Sequence, residues 1–136
     1  MKKREQKALK RLFIILVLTG MITLLLVACG TTTSTSGSTE NVVQMNDTNF
    51  VQSSITIKKG ERVTLINDSP ATPHIIANGT WVNGSTKPAR EPGAPEVKSL
   101  QIGGNGSDTV GPFNTTGTFQ FYCTIHPGMN LTVVVQ

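Results

Sequence analysis

The sequence predicts an all-β domain, an antiparallel sandwich or barrel, and three observations carry that reading. No window holds a sustained apolar 3.6-residue period, and Gly, Asn and Pro recur too often for long helices. Short apolar or alternating runs instead recur at turn-separated intervals, with no helical pattern between them. The stretch from Val42 to Gln136 is 95 residues long, enough for one compact domain and not for two.

Ser54–Ile57 and Glu61–Asn67 flank Lys58-Lys59-Gly60 and read as a hairpin-like pair, with Val63 and Leu65 alternating against Arg62 and Thr64. His74–Ala77 is a short apolar run. Asn78–Pro95, rich in Gly, Asn and Pro, is too polar for a core strand and reads as a surface excursion with room for a short helical turn. Its Asn78-Gly79 and Asn83-Gly84 steps begin Asn-x-Thr/Ser triplets, but read as turns before glycan acceptors. Val97–Ile102 alternates with partial regularity. Thr118–Cys123 alternates strictly: Phe119, Phe121 and Cys123 face one way, Gln120 and Tyr122 the other. Leu131–Val135 closes the chain, and there is no internal repeat.

The first 41 residues have another character. Residues 1–11 hold six Lys/Arg against one Glu, and Leu12–Val27 is an uncharged apolar run of sixteen. A basic segment, an apolar segment and small residues after it are the parts of a secretory signal, and the run is short of the ~20 residues that span a bilayer. The Leu26-Val27-Ala28-Cys29 stretch resembles a bacterial lipobox, which implies a signal peptide over 1–28 and lipidation of Cys29; the alternative, an uncleaved N-terminal membrane anchor, also places the rest of the chain outside the cytoplasm. Thr31–Asn41 is rich in Ser, Thr and Gly, so residues 29–41 read as a flexible tether. The expected location is outside the cytoplasm, lipid-anchored to a bacterial membrane. Six of the 12 basic residues and one of the 8 acidic residues belong to the leader, so the chain from Cys29 on has net charge −1. The basic character of the whole chain is the leader's, and a nucleic-acid partner has no support.

Of the two cysteines, the lipobox resemblance assigns Cys29 to the lipid, and Cys123 is then an unpaired thiol in an exported protein. Both histidines can join it: His126 lies three residues after Cys123, and His74 lies 49 before it. Outside the leader there are only two methionines, Met45 and Met129. A buried cysteine is usually inert, a lone histidine is more often structural, and a single methionine says nothing. Their conjunction decides otherwise. A His₂Cys set with a weak axial Met is the ligand pattern of an electron-transfer copper centre. Cys123 ends a strand facing inward, Ile125-His126-Pro127-Gly128 reads as a tight loop, and Met129 precedes the last strand.

Gly117-Thr118-Phe119-Gln120-Phe121-Tyr122-Cys123-Thr124-Ile125-His126-Pro127-Gly128-Met129 resembles the C-terminal copper loop of the cupredoxins, the plastocyanin and amicyanin group in particular. The C-x₂-H-x₂-M spacing is most similar to amicyanin, and Pro73-His74 matches the upstream ligand histidine. The resemblance covers residues 42–136. It implies a Greek-key β-sandwich of about eight strands and one type 1 copper. Its ligands would be His74, Cys123, His126 and Met129, and its work the shuttling of single electrons between redox protein partners by a monomer. His126 would be the ligand nearest the surface, with Ile125, Pro127 and Pro70–Pro73 as an apolar docking ring. Two positions depart from the group's pattern. Ile75 stands where Asn usually braces the two ligand segments, so another contact has to replace it. Ile125 stands where Pro is usual, and its N–H could give the Cys123 sulfur a second hydrogen bond beside one expected from Ile75. Trp81 and Tyr122 suit an electron path or plain packing.

Catalysis has little to stand on, because both histidines are already assigned and no second copper site can be built. Two other classes compete: a lipoprotein that binds and delivers copper without carrying electrons, which would be colourless, and a metal-free envelope protein, which would bind no stoichiometric copper.

Overall fold

The computed structural model describes residues 41–136. The leader 1–28, the lipidation site at Cys29 and the tether up to residue 40 lie outside the described residues. Those described form nine strands and no helix: β1 (Val42–Met45), β2 (Ser54–Ile57), β3 (Val63–Asn67), β4 (His74–Val82), β5 (Ser85–Pro88), β6 (Leu100–Ile102), β7 (Ser107–Val110), β8 (Gly117–Cys123) and β9 (Asn130–Val135). One sheet has the order β1-β3-β7; the other has β2-β9-β8-β4-β5, with β6 also paired to β4. The architecture is the expected all-β sandwich, with nine strands in place of about eight.

β2 and β3 do not form a hairpin. β2 runs parallel to β9, with Ile57 opposite Val135. β3 lies in the other sheet, parallel to β1 and antiparallel to β7. Both strands need to bury an apolar face in the same core, Ile57 from one side and Val63 and Leu65 from the other. A hairpin would put those faces in one layer; a crossing between layers buries both. The crossing is pinned by its backbone: Lys59 N–H donates to the Gln136 carbonyl and Gly60 N–H to that of Phe113, each at 2.8 Å.

The polar excursion is also a strand pair. β4 continues past Ala77 to Val82, turns at Asn83-Gly84 and returns as β5, with Trp81 opposite Thr86. Asn83 and Gly84 have φ of +50° and +75°, the two-residue turn whose twist matches the strands it joins. No helical turn forms. Asn78-Gly79, read as a turn, lies inside β4. There Gly79 has φ +128° and a Cβ would overlap the Lys87 carbonyl, so the cross-strand approach excludes a side chain.

The inward faces of both sheets form one core cluster: Val43, Met45, Val63, Leu65 and Val110 from the first, Ile57, Ile76, Phe119, Phe121, Leu131, Val133 and Val135 from the second. Phe119, Phe121 and Cys123 point inward as their alternation required. Tyr122, on the other face of β8, is buried as well, with the Trp81 ring standing edge-on to it at 6.2 Å.

The crossing turn carries a pH dependence. Glu61 Oε2 accepts from Lys58 N–H at 2.9 Å and from the Asn41 amide at 3.0 Å. The backbone bond, then the amide, hold its carboxyl below the ordinary 4.5. A depressed acid binds fewer protons folded than unfolded, so its contribution is present above that value and fades as pH falls through the lowered one. Urea midpoints compared at neutral and acid pH should therefore fall less in Glu61→Gln than in the wild type.

Candidate metal centre

The sheet register brings the ligand candidates to one end of the sandwich. Ile76 of β4 sits opposite Cys123 of β8. His74, two residues earlier on β4, shares the inward face of Ile76 and comes alongside the loop that leaves Cys123. That loop turns back at once. Met129 N–H donates to the His126 carbonyl at 3.2 Å, Cys123 N–H donates to the Met129 carbonyl at 3.0 Å, and Gly128 takes the positive φ of +81° that the turn needs. A seven-residue loop thus closes on its own backbone, with Met129 buried at its return.

Cys123 Sγ lies 3.4 Å from His126 Nδ1, which lies 3.1 Å from His74 Nδ1. The three ligand atoms fall within 4.8 Å of one another. His74 Nε2 is 3.0 Å from the Asn46 carbonyl. A carbonyl only accepts, so Nε2 carries the proton and Nδ1 presents a bare lone pair to the cluster. Metal–nitrogen bonds near 2.0 Å and metal–sulfur bonds near 2.3 Å put donors on one ion about 3.3–3.6 Å apart at tetrahedral angles. The two spacings made by His126 Nδ1 are close to that and the Cys123–His74 pair lies within 4.8 Å, so a thiolate and two imidazole nitrogens can gather on a soft or borderline metal ion. His74 and Cys123 are fully buried and His126 is partly exposed. Burial, aided by the nearby His126, holds the His74 ring below the usual imidazole value of 6.5, against the opposing pull of the Asn46 carbonyl and Asp47. The neutral ring, the form a ligand must have, is thereby favoured.

The approach to His74 is held by a polar network. The Asn67 amide donates to the carbonyls of Thr72 (2.8 Å) and Gly103 (2.9 Å), and its oxygen accepts from Ser69 N–H at 3.1 Å. Asp47 accepts from the hydroxyls of Ser69 and Thr72. Asn67 is buried and fully used, which fixes the path of the Pro70–Pro73 turn into β4.

At the two departures, Thr124 N–H donates to the Ile75 carbonyl at 2.8 Å and so ties the two ligand segments through backbone. Among the described residues the hydrogen-bond contact at the Cys123 sulfur is the one with His126; the N–H groups of Ile75 and Ile125 make none. Ile125 itself is 46% exposed. Two contributors had no signal in the sequence, Asn46 through its carbonyl and Asn130 through its side-chain amide; Trp81, read there for an electron path or packing, acts through hydrogen bonds across the fold. Trp81 Nε1–H donates to the Cys123 carbonyl at 2.7 Å.

Residues 37–136 match the family model of copper-binding proteins of the plastocyanin/azurin family. Among solved structures, amicyanin from Paracoccus versutus (Thiobacillus versutus) is similar, with TM-score 0.54 and 22% identity over 73% of this chain and 83% of that one. An oxidized methionine-to-leucine mutant of amicyanin is similar too, with TM-score 0.53 and 26% identity over 71% of this chain and 82% of the other. A comparison with curated protein sequences gives no match.

Proposed function

Because the chain belongs to the plastocyanin/azurin family of copper-binding proteins, and the family's members carry electrons, we propose that it shuttles single electrons between redox partners outside the cytoplasm, held at a membrane by a lipid on Cys29. One type 1 copper is the cofactor. The observation that carries the reading is the convergence of His74 Nδ1, His126 Nδ1 and Cys123 Sγ within 4.8 Å at one end of the sandwich; Met129, buried where the loop returns to the Cys123 backbone, is the proposed weak fourth ligand.

Copper supplies a one-electron Cu(I)/Cu(II) couple. The chain's contribution is to keep the donors where they are in both states. Cys123 and His74 are set by paired strands, and the loop from Cys123 to Met129 closes through its own hydrogen bonds. Four protein ligands leave no position for a substrate, which suits a carrier and not an enzyme. Partly exposed His126 is the way out for the electron. Exposed Ile125 and Pro127, with Pro70, Ala71 and Pro73 from the neighbouring turn, give an apolar rim for brief protein encounters. A domain of net charge near zero, working as a monomer, fits such encounters.

The test is the visible and paramagnetic resonance spectrum of the purified chain with Cu(II). The expected result is an intense orange-red absorption with a narrow copper hyperfine splitting, one copper per chain, and reversible reduction. A colourless complex that releases its copper readily would replace the carrier reading with copper delivery.

A further inference from the structure

We propose that Trp81 is a positioning residue for the copper loop, a clamp that orders the segment from Cys123 to Asn130 before any metal binds. This rests on the copper-site reading above but is separately testable.

Trp81 sits near the end of β4, outside the ligand set, yet three hydrogen bonds tie it to both stems of the ligand loop. Its indole Nε1–H donates to the Cys123 carbonyl at 2.7 Å. Its backbone N–H donates to Asn130 Oδ1 at 2.7 Å, and its carbonyl accepts from Asn130 Nδ2 at 3.1 Å. The Asn130 side-chain amide thus pairs with Trp81 as a strand backbone would, donor to acceptor and acceptor to donor. Cys123 is the first residue of the loop and Asn130 follows its last candidate ligand, Met129. One residue therefore fixes the two ends of the loop relative to each other.

The clamp is itself held. The Trp81 ring stands edge-on to Tyr122, with centroids 6.2 Å apart and planes at 85°, and Trp81 pairs with Thr86 across the β4–β5 turn. The hairpin that read as a surface excursion is what carries the indole to the loop. The Cys123 N–H is bonded to Met129 on the inner side of the loop, and the indole takes the carbonyl of the same residue. Both polar backbone atoms of Cys123 are thus fixed, so the peptide plane before it is held by Met129 and the one after it by the indole. A loop ordered in advance avoids losing its conformational freedom on binding copper, which favours metal retention.

The experiment removes the indole donor and reads the loop with and without copper. In the metal-free full chain, amide hydrogen exchange is followed at Cys123, Thr124 and Met129, with Gln136 N–H, bonded to the Ile57 carbonyl far along the sheet, as the control. Trp81→Phe removes the N–H and part of the ring. Replacing Trp81 with β-(3-benzothienyl)alanine, in which sulfur takes the place of the N–H, keeps the ring's shape. Both should speed exchange of the loop amides about tenfold, the loss of one well-made hydrogen bond, and leave Gln136 unchanged. In the loaded protein, copper dissociation should quicken about tenfold, within the range for outer contacts of a metal ligand. Unchanged loop exchange in the benzothienyl protein overturns the proposal, as does an equal rise at Gln136, which would mean general destabilisation. Failure of the wild type to bind copper would remove the carrier reading, and the exchange rates of the metal-free chain would still decide for or against the clamp.

Discussion

A Cys123→Ser variant loaded with Cu(II) should lose the intense visible absorption altogether and hold copper at least about a hundredfold more weakly, since disturbing even an outer contact of a metal ligand costs 10–100-fold. The reason lies in the donor. A thiolate is the only soft anionic ligand of the set, and its charge transfer to copper supplies both the colour and much of the covalency. A serine hydroxyl at the same place stays neutral at ordinary pH and offers a hard oxygen. Fold loss does not confuse the result. The side chain is fully buried, so an added hydroxyl costs about 1–3 kcal/mol if unpaired, but His126 Nδ1 stands 3.4 Å from the sulfur and is within reach of its replacement. Circular dichroism should show the sheets intact while the visible spectrum and a competitive copper titration change. Retention of the band in the serine variant would remove Cys123 from the ligand set.

The strands and ligand residues that could be read from the sequence share a physical property: their periodicity is local. Phe119, Phe121 and Cys123 alternate within seven residues, so β8 and the inward thiol were legible together. The turn was legible because Pro127 and Gly128 restrict and free the backbone at adjacent positions, and Gly128 does take a positive φ. β1 and β7 were not legible. β1 is Val-Val-Gln-Met, which does not alternate in polarity, and β7 is Ser-Asp-Thr-Val with only Val110 buried. β5 is exposed throughout and has no apolar face to show. Pairing partners were invisible for a different reason: Ile57 and Leu65 have the same pattern whichever sheet they join, and only the common core separates them. The same holds around the metal. His74 could be picked out as a donor, but the Asn46 carbonyl that sets its tautomer comes from a loop 28 residues earlier. A backbone carbonyl has no side-chain signature. The Asn that usually braces the ligand segments is replaced by the backbone bond from Thr124 to Ile75, which any residue at position 75 could accept.

Phe113→Ala should be among the most destabilising single changes in the domain, by about 3–5 kcal/mol, yet leave the copper spectrum of the folded protein nearly unchanged. Phe113 lies on no strand, between β7 and β8, and is fully buried. Its ring packs against Phe119 and Phe121, with centroids 5.8 and 5.9 Å away, between the two sheets. The space it shares with Val63, Leu65, Val110, Phe121, Leu131 and Val133 admits no water, so truncation leaves a dry void whose lining loses its contacts outright. Relaxation into the void is resisted at both sides. Phe113 N–H donates to the Glu61 carbonyl and its own carbonyl accepts from Gly60 N–H, each at 2.8 Å, so the backbone is fastened to the crossing turn and cannot slide inward. For a domain of this size, about 4–8 °C of melting temperature goes with each kcal/mol, so thermal unfolding should begin at least about 12 °C lower. The ligands are fastened elsewhere, by the β4–β8 register and the closed loop after Cys123. A cold sample should therefore keep its colour and hyperfine splitting. A shift of only a few degrees would show that Phe113 is not the pin between the sheets. A changed spectrum in the folded variant would show that the strain of the void travels along β8 through Phe121 to Cys123, and the copper geometry would then depend on the core as much as on its own loop.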